Sequence, residues 1–573
     1  MEARWVQAAL ASPEYVAVRR RVFRQLLESL CYEGALRTRP AGADRCAVDG
    51  VDERGRPVCY EFTARRRFGF GRVAVGPDPV LRDGVEAESV TAFLTEARDA
   101  LVADQEHLAR FTAELAETLV KDALAQYART ERGDVLAGAD HDTLESTVTD
   151  GHRYHPTYKS RVGFDLADNL AFGPEFARPV RPLWLAAHRS VTEVTVAGEL
   201  REAEFLRGQV GPRWDPDPAE YTMLPVHPWQ WRERVGRVFA ERLRRGELVV
   251  LGEDPDEFRA QQSVRTLACA SAPHRPYLKL ALSIVNTSTS RVLAPHTVRN
   301  AAPVTEWLRG ITRGDPDLDE VILLGEVMGS SVAAPAGSGA EGYGALACVW
   351  RESLHAQLAP GEAAAPFTAL TARERDGTPF VEGWLRAYGV REWVARLVEV
   401  AVVPLVHVLC AHGVALEAHA QNMALVHREG WPARVALKDF HDGVRFSRAH
   451  LAEPGRCPEL AGTPAHHGNR NSFLETGDVD LVTDFLLDAF CFVNLGELAI
   501  LLAEAYGFAE REFWAVVRAA LRDYRERRPE LAERFALFDV TKLTVAVEKL
   551  TTRRLLPDTE LRLHAVPNPL GQG

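Results

Sequence analysis

An α+β fold in roughly three lobes follows from three features of this sequence. Charged–apolar runs with helical periodicity lie near both ends, short β-prone runs cluster between about 140 and 345, and a second strand-rich patch interrupts the C-terminal helices. Residues 14–34 and 87–130 place apolar side chains at helical spacing and read as amphipathic helices. Between them, CAVDGVDERGRPVCYEFTA and FGFGRVAVG suit short strands near 45–77, and the polar run TERGDVLAGADHDTLEST closes the region. Further on, YLKLALSIVNTSTSRVL alternates apolar and small polar residues, while ELVVLG and VILLGEVMG are short strand-like runs. The Gly/Ala/Pro-rich SSVAAPAGSGAEGYGA reads as a loop near a domain boundary. Beyond it, 382–411, 478–506 and 510–527 read as helices, and two strand runs joined by a Gly-containing turn fall between the first two.

Composition narrows the function. The 573 residues carry a net charge of -12, which argues against nonspecific nucleic-acid binding but leaves room for local cationic pockets. Eight scattered cysteines form no CxxC pair and suit reduced thiols in a cytoplasm. The first residues show no basic start followed by an apolar core and cleavage site. The apolar windows 397–411 and 485–506 contain Glu399, Pro404 and His407, and Asp488, Asn494, Glu497 and Glu504, so they read as buried helices rather than membrane spans.

Three stretches could carry chemistry. In HGVALEAHAQNMALV and VALKDFHDG, Glu417, His419 and Asn422 sit at one strand end and Asp439 at the next. An Asn and an Asp on neighbouring strand ends can share Mg²⁺, which takes oxygen ligands and keeps phosphates and waters as the others. The plainer alternative is a polar hairpin satisfying its own backbone. In QQSVRTLACASAPHRPYLKLALSIVNTSTSRVL, Ser263, Arg265, Lys279, Thr287, Ser288, Thr289 and Arg291 could grip phosphate or carboxylate, or could line a half-exposed strand. In GHRYHPTYKSRVGF, His152, His155, Lys159 and Arg161 would repel one another unless an anion sits among them; the bland alternative is an exposed basic loop. Arg351 is a further candidate anion contact, and His227 in PVHPWQW reads as structural.

Taken in order, GHxxHPxxKxRxGF, PVHPWQ, SxRTL, KLxLSIxxTSxxR, HxQN and KDF resemble the IucA/IucC superfamily of siderophore synthetases, the aerobactin-type enzymes that work without nonribosomal peptide synthetases. The likeness spans nearly the whole chain; Lys438 stands where Arg commonly precedes the aspartate. The resemblance implies a cupped hand: a helical thumb at 1–140, fingers at 141–345, and a palm distantly similar to protein kinases at 346–573. It implies a homodimer, small-molecule carboxylic acid and amine or alcohol substrates, and ATP with Mg²⁺. A carboxylate would attack the α-phosphorus of ATP, and an amine or alcohol would then take the acyl group and release AMP. Citrate comes first among the acids, then a citryl or succinyl monoamide, then 2-oxoglutarate.

By motif match, Ser263, Arg265 and Lys279 would hold ATP phosphates, and Thr287, Ser288, Thr289 and Arg291 would line the junction of α-phosphate and carboxylate. His419 and Asn422 would contact the nucleotide, and Asp439, with Asn422 and Glu417, the metal. His152, His155, Lys159, Arg161 and Arg351 would meet phosphate or substrate carboxylate, with Arg291, His419 and Thr287 nearest the chemistry. Two other functions fit parts of the pattern: a kinase-like phosphotransferase, which lacks its glycine-rich loop and aspartate base here, and a noncatalytic binder of anionic ligands.

Overall fold

The computed structural model describes residues 2–148, 150, 152–287, 289–464 and 471–572, without the side chains of Glu2 and Thr289. The fold mixes helices and sheets as expected. In the N-terminal part, helices Pro13–Tyr32 and Gln105–Arg132 pack together over an apolar core that includes Val22, Leu26, Leu115 and Leu119. The helix expected over 87–130 is broken. Val90–Glu96 is one helix, and the Asp104 carboxylate starts the next by accepting the N–H groups of Glu106 and His107 at 3.0 and 3.1 Å. The strands expected near 45–77 are Arg45–Val51, Pro57–Arg66 and Val73–Val75, paired antiparallel.

Glu33 ties this part to the far end of the chain. Its buried carboxylate accepts the Tyr154 hydroxyl at 2.9 Å, the Thr551 and Thr552 N–H groups at 3.0 and 2.6 Å, and the Thr552 hydroxyl at 2.6 Å. Segments far apart in sequence therefore meet on one acceptor.

The central sheet runs Phe258–Ala260, Thr266–Cys269, Tyr277–Leu280, Ala347–Arg351, Glu326–Val332 and Thr192–Val196, with antiparallel neighbours throughout. Strand alternation sorts its faces. Leu278, Leu280, Cys348 and Trp350 enter the apolar core. Tyr277 pairs with Arg351, and Lys279 with Thr266 and Val349, so Lys279 and Arg351 share the opposite face.

The second sheet orders Val321–Leu323, Trp431–Leu437, Met423–Arg428 and Ala363–Pro366. Its hairpin turns at Glu429 and Gly430, both at positive φ (50° and 88°). Strands cross the expected boundary at 345: Ala347–Arg351 belongs to the central sheet, while Val321–Leu323 joins the second sheet in parallel with Trp431–Leu437.

Gly389, at φ 82°, divides the helix expected over 382–411 into Glu382–Tyr388 and Val390–His412, because an L side chain is strained there. Val390–His412 and Val479–Tyr506 are long and apolar enough to cross a membrane, but 72% of each apolar window is buried inside the protein. They are core helices, as their internal acids suggest. One of those acids, Asp488, accepts the Glu548 N–H at 3.0 Å and is pushed up to about 8 by burial and by the neighbouring Glu548 and Asp484 carboxylates.

Two outcomes follow. Glu33→Ala leaves several buried donors unmatched and should cost on the order of 3 kcal/mol in chemical unfolding; a loss below the scatter of surface variants would refute its role as a tie. The folded Asp488 carboxyl stays protonated up to about 8, well above its unfolded value, so the native state holds the extra proton and stability falls as pH rises towards 8. Asp488→Asn should therefore melt above the parent, with an advantage that grows from pH 5 to 8 at no more than about 1.4 kcal/mol per pH unit and then levels off. A melting difference independent of pH would contradict this.

Candidate functional site

The face of the central sheet that carries Lys279 and Arg351 meets the open end of the hairpin. The Lys438 N–H donates to the Asn422 carbonyl at 3.0 Å, extending the ladder by one step, and Asp439 follows immediately. Its carboxylate is clamped: Arg351 Nη1 donates to Oδ1 at 2.7 Å, and Lys279 Nζ lies 3.1 Å from Oδ2. Burial opposes ionisation, yet Lys279 and Arg351 hold Asp439 well below the usual carboxylate range. Asp439 has φ 67°, and the chain turns so tightly beside it that a Cβ on Gly443 would lie 2.2 Å from the Asp439 carbonyl oxygen.

Beside the clamp, two arginines build a cationic wall. Arg265 Nη1 donates to the carbonyls of Arg291 and Val292 at 2.9 and 2.7 Å, and Arg291 Nη2 donates to Thr287 Oγ1 at 2.7 Å. Arg265 Nε and Arg291 Nε are buried with no hydrogen-bond partner among the described residues. Burial, then the nearby Arg265, pulls Arg291 down to about 10, and burial lowers Arg265 as well. Val264 and Thr287 adopt φ 68° and 60°, rare for β-branched residues. Ser263 turns inward, donating to Thr266 Oγ1 at 2.8 Å and accepting the Thr266 N–H at 3.2 Å. The long strand read through 277–291 is instead Tyr277–Leu280 followed by a small hairpin, Val285–Asn286 with Thr289–Ser290. Ser288 and the Thr289 side chain lie outside the described residues.

The segment with His155 and Arg161 lies along that hairpin: Val162 bridges Val285, and the Thr157 hydroxyl donates to the Thr287 carbonyl at 3.4 Å. His155 and His152 are enclosed with their rings 6.1 Å apart. Burial, then the neighbouring His152 and arginines including Arg291, holds His155 well below the usual histidine range. Burial brings His152 to about 4 and His419 to about 4, the latter helped by His152, Lys438 and Arg291. Three neutral imidazoles thus collect beside the cations. His155 Nε2 and His152 Nδ1 are buried with no hydrogen-bond partner among the described residues.

Three of the candidate anion contacts have partners within the protein. Lys159 and Arg161 meet carboxylates that the chain itself supplies. Lys159 Nζ lies 3.0 Å from Asp122 Oδ1 and 3.3 Å from Glu175 Oε1, and Arg161 makes a two-pronged pair with Glu175 at 2.9 Å on each prong. Both are buried, and the basic loop is an internal ion network. Arg351 is likewise committed, to Asp439 and, through Nη2 at 2.9 Å, to Gln261.

Around Asp439, acids gather. Glu417 is pushed up to about 8 by burial and by the Asp442 and Asp439 carboxylates. The Asn422 side-chain NH₂ donates to the Glu417 carbonyl at 3.0 Å, which fixes the amide plane. Such like-charged crowding suits a divalent cation with oxygen ligands.

Sequence reasoning missed a second layer. His441 Nδ1 contacts Glu326 Oε1 at 2.5 Å, and its Nε2 lies 3.4 Å from Lys279 Nζ. Glu145 pairs with Lys438, and Asp142 receives His355 at 2.8 Å. The HDG following KDF was a visible signal for His441; Glu326, inside an apolar run, offered none.

Known proteins match nearly the whole chain in sequence and fold. A family model described as the IucA / IucC family matches residues 140–372, and one described as a ferric iron reductase FhuF-like transporter matches 391–563. The chain is 40% identical over 587 residues to the citryl-spermidine/3,4-dihydroxybenzoyl-citryl-spermidine:spermidine ligase of Bacillus anthracis, covering 98% of this chain and 95% of that protein. It is also 40% identical over 582 residues to the 2-[(L-alanin-3-ylcarbamoyl)methyl]-3-(2-aminoethylcarbamoyl)-2-hydroxypropanoate synthase of Staphylococcus aureus, covering 97% of this chain and 93% of that one. The crystal structure of the petrobactin biosynthesis protein AsbB from Bacillus anthracis str. Sterne superposes with a TM-score of 0.92 at 38% identity, over 100% of this chain and 98% of that one. With two-fifths identity from end to end and one shared fold, this chain belongs to the IucA/IucC family of siderophore synthetases.

Proposed function

We propose that this protein is an ATP-dependent ligase that activates a carboxylate of citrate or a citryl monoamide and joins it to an amine, releasing AMP and pyrophosphate. The observation that carries this reading is that Lys279, Arg265 and Arg291 all lie within electrostatic reach of Asp439, the two arginines hydrogen-bonding only to neutral oxygens. A carboxylate and a triphosphate repel each other, and cations fixed beforehand remove that barrier without reorganising during reaction. The citrate skeleton and the amine follow the printed names of the relatives above.

Each residue has a task. Arg265 braces the loop that carries Arg291, and Arg291 with Thr287 would face the α-phosphate and the incoming carboxylate. Lys279 would hold phosphate while anchoring Asp439. Asp439, Asn422 and Glu417 would hold Mg²⁺, which supplies charge neutralisation for the departing pyrophosphate. Neutral His419 and His155 can hydrogen-bond phosphate or acyl oxygens without adding charge. In the first half-reaction a carboxylate oxygen bonds to the α-phosphorus and the bond to pyrophosphate breaks. In the second, the amine lone pair bonds to the acyl carbon and AMP leaves.

We read the three lobes as thumb, fingers and palm, with the hairpin end of the palm closing on the central sheet of the fingers. The kinase-like reading of the palm rests on the Asn422 and Asp439 pairing, and the cytoplasmic location on the enzyme's small soluble substrates.

Pyrophosphate release with ATP and a panel of citrate, citryl monoamides, succinyl monoamides and 2-oxoglutarate tests the proposal. The parent should release pyrophosphate and AMP in a carboxylate-dependent manner; formation of ADP would assign a phosphotransferase instead. Arg291→Ala should lower that rate by about 10²–10³-fold. Asp439→Asn, which keeps an acceptor for Arg351, should lower it at least as far while the far-ultraviolet spectrum is kept. Parent-like rates in both variants would remove these residues from the reaction.

A further inference from the structure

Two histidines that the ligase reaction does not use share one aspartate oxygen at the C-terminal end of helix Val390–His412. His407 Nε2 lies 2.7 Å and His412 Nε2 2.8 Å from Asp315 Oδ2, with the two rings 5.6 Å apart. Positions five apart point about 140° from each other on an α-helix and do not share a face. Here the helix widens into a π-turn over Val408–His412, which swings His412 round to the side of His407. Such insertions break regular hydrogen bonding and gather at functional positions.

The surroundings fix all three groups. The other Asp315 oxygen accepts the Asp317 N–H at 3.0 Å, aiming Oδ2 at the histidines. The second nitrogen of His407, Nδ1, is hydrogen-bonded to the Tyr524 hydroxyl and faces Asp317 Oδ2 at 3.5 Å. A partner on the outer nitrogen is what orients a metal-binding imidazole. Asp315, His407 and His412 form a cluster of histidine and carboxylate groups whose ligand atoms converge closely enough to hold one ion. His407 is buried, while 16% of the Asp315 side chain and 20% of the His412 side chain remain accessible, leaving a side from which water can complete the coordination.

We propose that Asp315, His407 and His412 bind one divalent first-row transition ion, of the zinc class, as a structural centre separate from the ATP site. Two imidazoles and a carboxylate form a mixed nitrogen–oxygen set that Zn²⁺ and its neighbours accept and that Mg²⁺ and Ca²⁺ do not favour. The ion pins together the two chain segments that lead into the ligase site. His412 runs through Gly413 and strand Val414–Leu416 into Glu417 and His419. Asp315 leads into strand Val321–Leu323, which pairs with the strand that ends just before Asp439.

Co²⁺ is the probe, because its visible bands report low-coordinate nitrogen–oxygen ligation. Chelator-treated full-length protein should take up one equivalent with saturable visible absorption, lose the bands to added Zn²⁺, and melt at a higher temperature with either ion. Asp315→Asn keeps one acceptor oxygen, enough for the two histidines or for the Asp317 N–H but not for both, and removes the anionic ligand. His412→Gln removes one nitrogen at a partly exposed position. Both should weaken Co²⁺ binding by at least about tenfold and abolish the melting shift. Failure of the parent to show a saturable one-equivalent band, or parent-like binding in Asp315→Asn or His412→Gln, would overturn the proposal and leave two histidines hydrogen-bonded to one carboxylate.

Discussion

The molecule turns on a buried ionic clamp in which the Asp439 carboxylate lies between Arg351 and Lys279. The three groups come from two different sheets, so the clamp sets where the hairpin end sits over the central sheet. Buried ion pairs of this kind add little net stability, because desolvation offsets most of the attraction. Their asymmetry matters more: removing one partner strands the other in a low dielectric. The clamp therefore specifies a position more than it stabilises a fold.

Strain points the same way. Val264, Thr287 and Asp439 hold left-handed backbone conformations that non-glycine residues avoid, and each lies next to or within a charged contact of the site. Residues held this way persist only when their surroundings over-determine them. Arg265 supplies part of that determination by holding the backbone carbonyls of residues 291 and 292, and Gly443 supplies another part by letting the chain pass close to Asp439. The result is a partly desolvated set of cations held in place by backbone contacts before any substrate arrives.

Much of this was legible in the sequence, for identifiable reasons. The apolar run before Asn422 and the one before Asp439, with a Gly-containing turn between them, sufficed to place both residues at one hairpin end. Alternation through Tyr277–Leu280 sufficed to separate Lys279 from the core leucines. What stayed hidden depended on partners remote in sequence. Lys159 and Arg161 look like an anion trap because Asp122, on another helix, and Glu175 cannot be placed beside them from spacing alone. Arg351 looked like a ligand grip for the same reason. Glu326 looked like nothing, one acid in an apolar strand, until the register set it opposite Arg351 and within reach of His441.

Those hidden pairings also separate two kinds of cation in one cleft. Lys159, Arg161 and Arg351 are matched by internal carboxylates, so their charge is spent on architecture. Arg265 and Arg291 are different: their Nη contacts go to neutral oxygens instead of carboxylates, and burial lowers the affinity of both for their protons. A protein bears that cost only where something else supplies the missing negative charge. Of the arginines in the six motifs, Arg161 is matched by Glu175, whereas these two hydrogen-bond to neutral oxygens and keep an unmet demand for an anion.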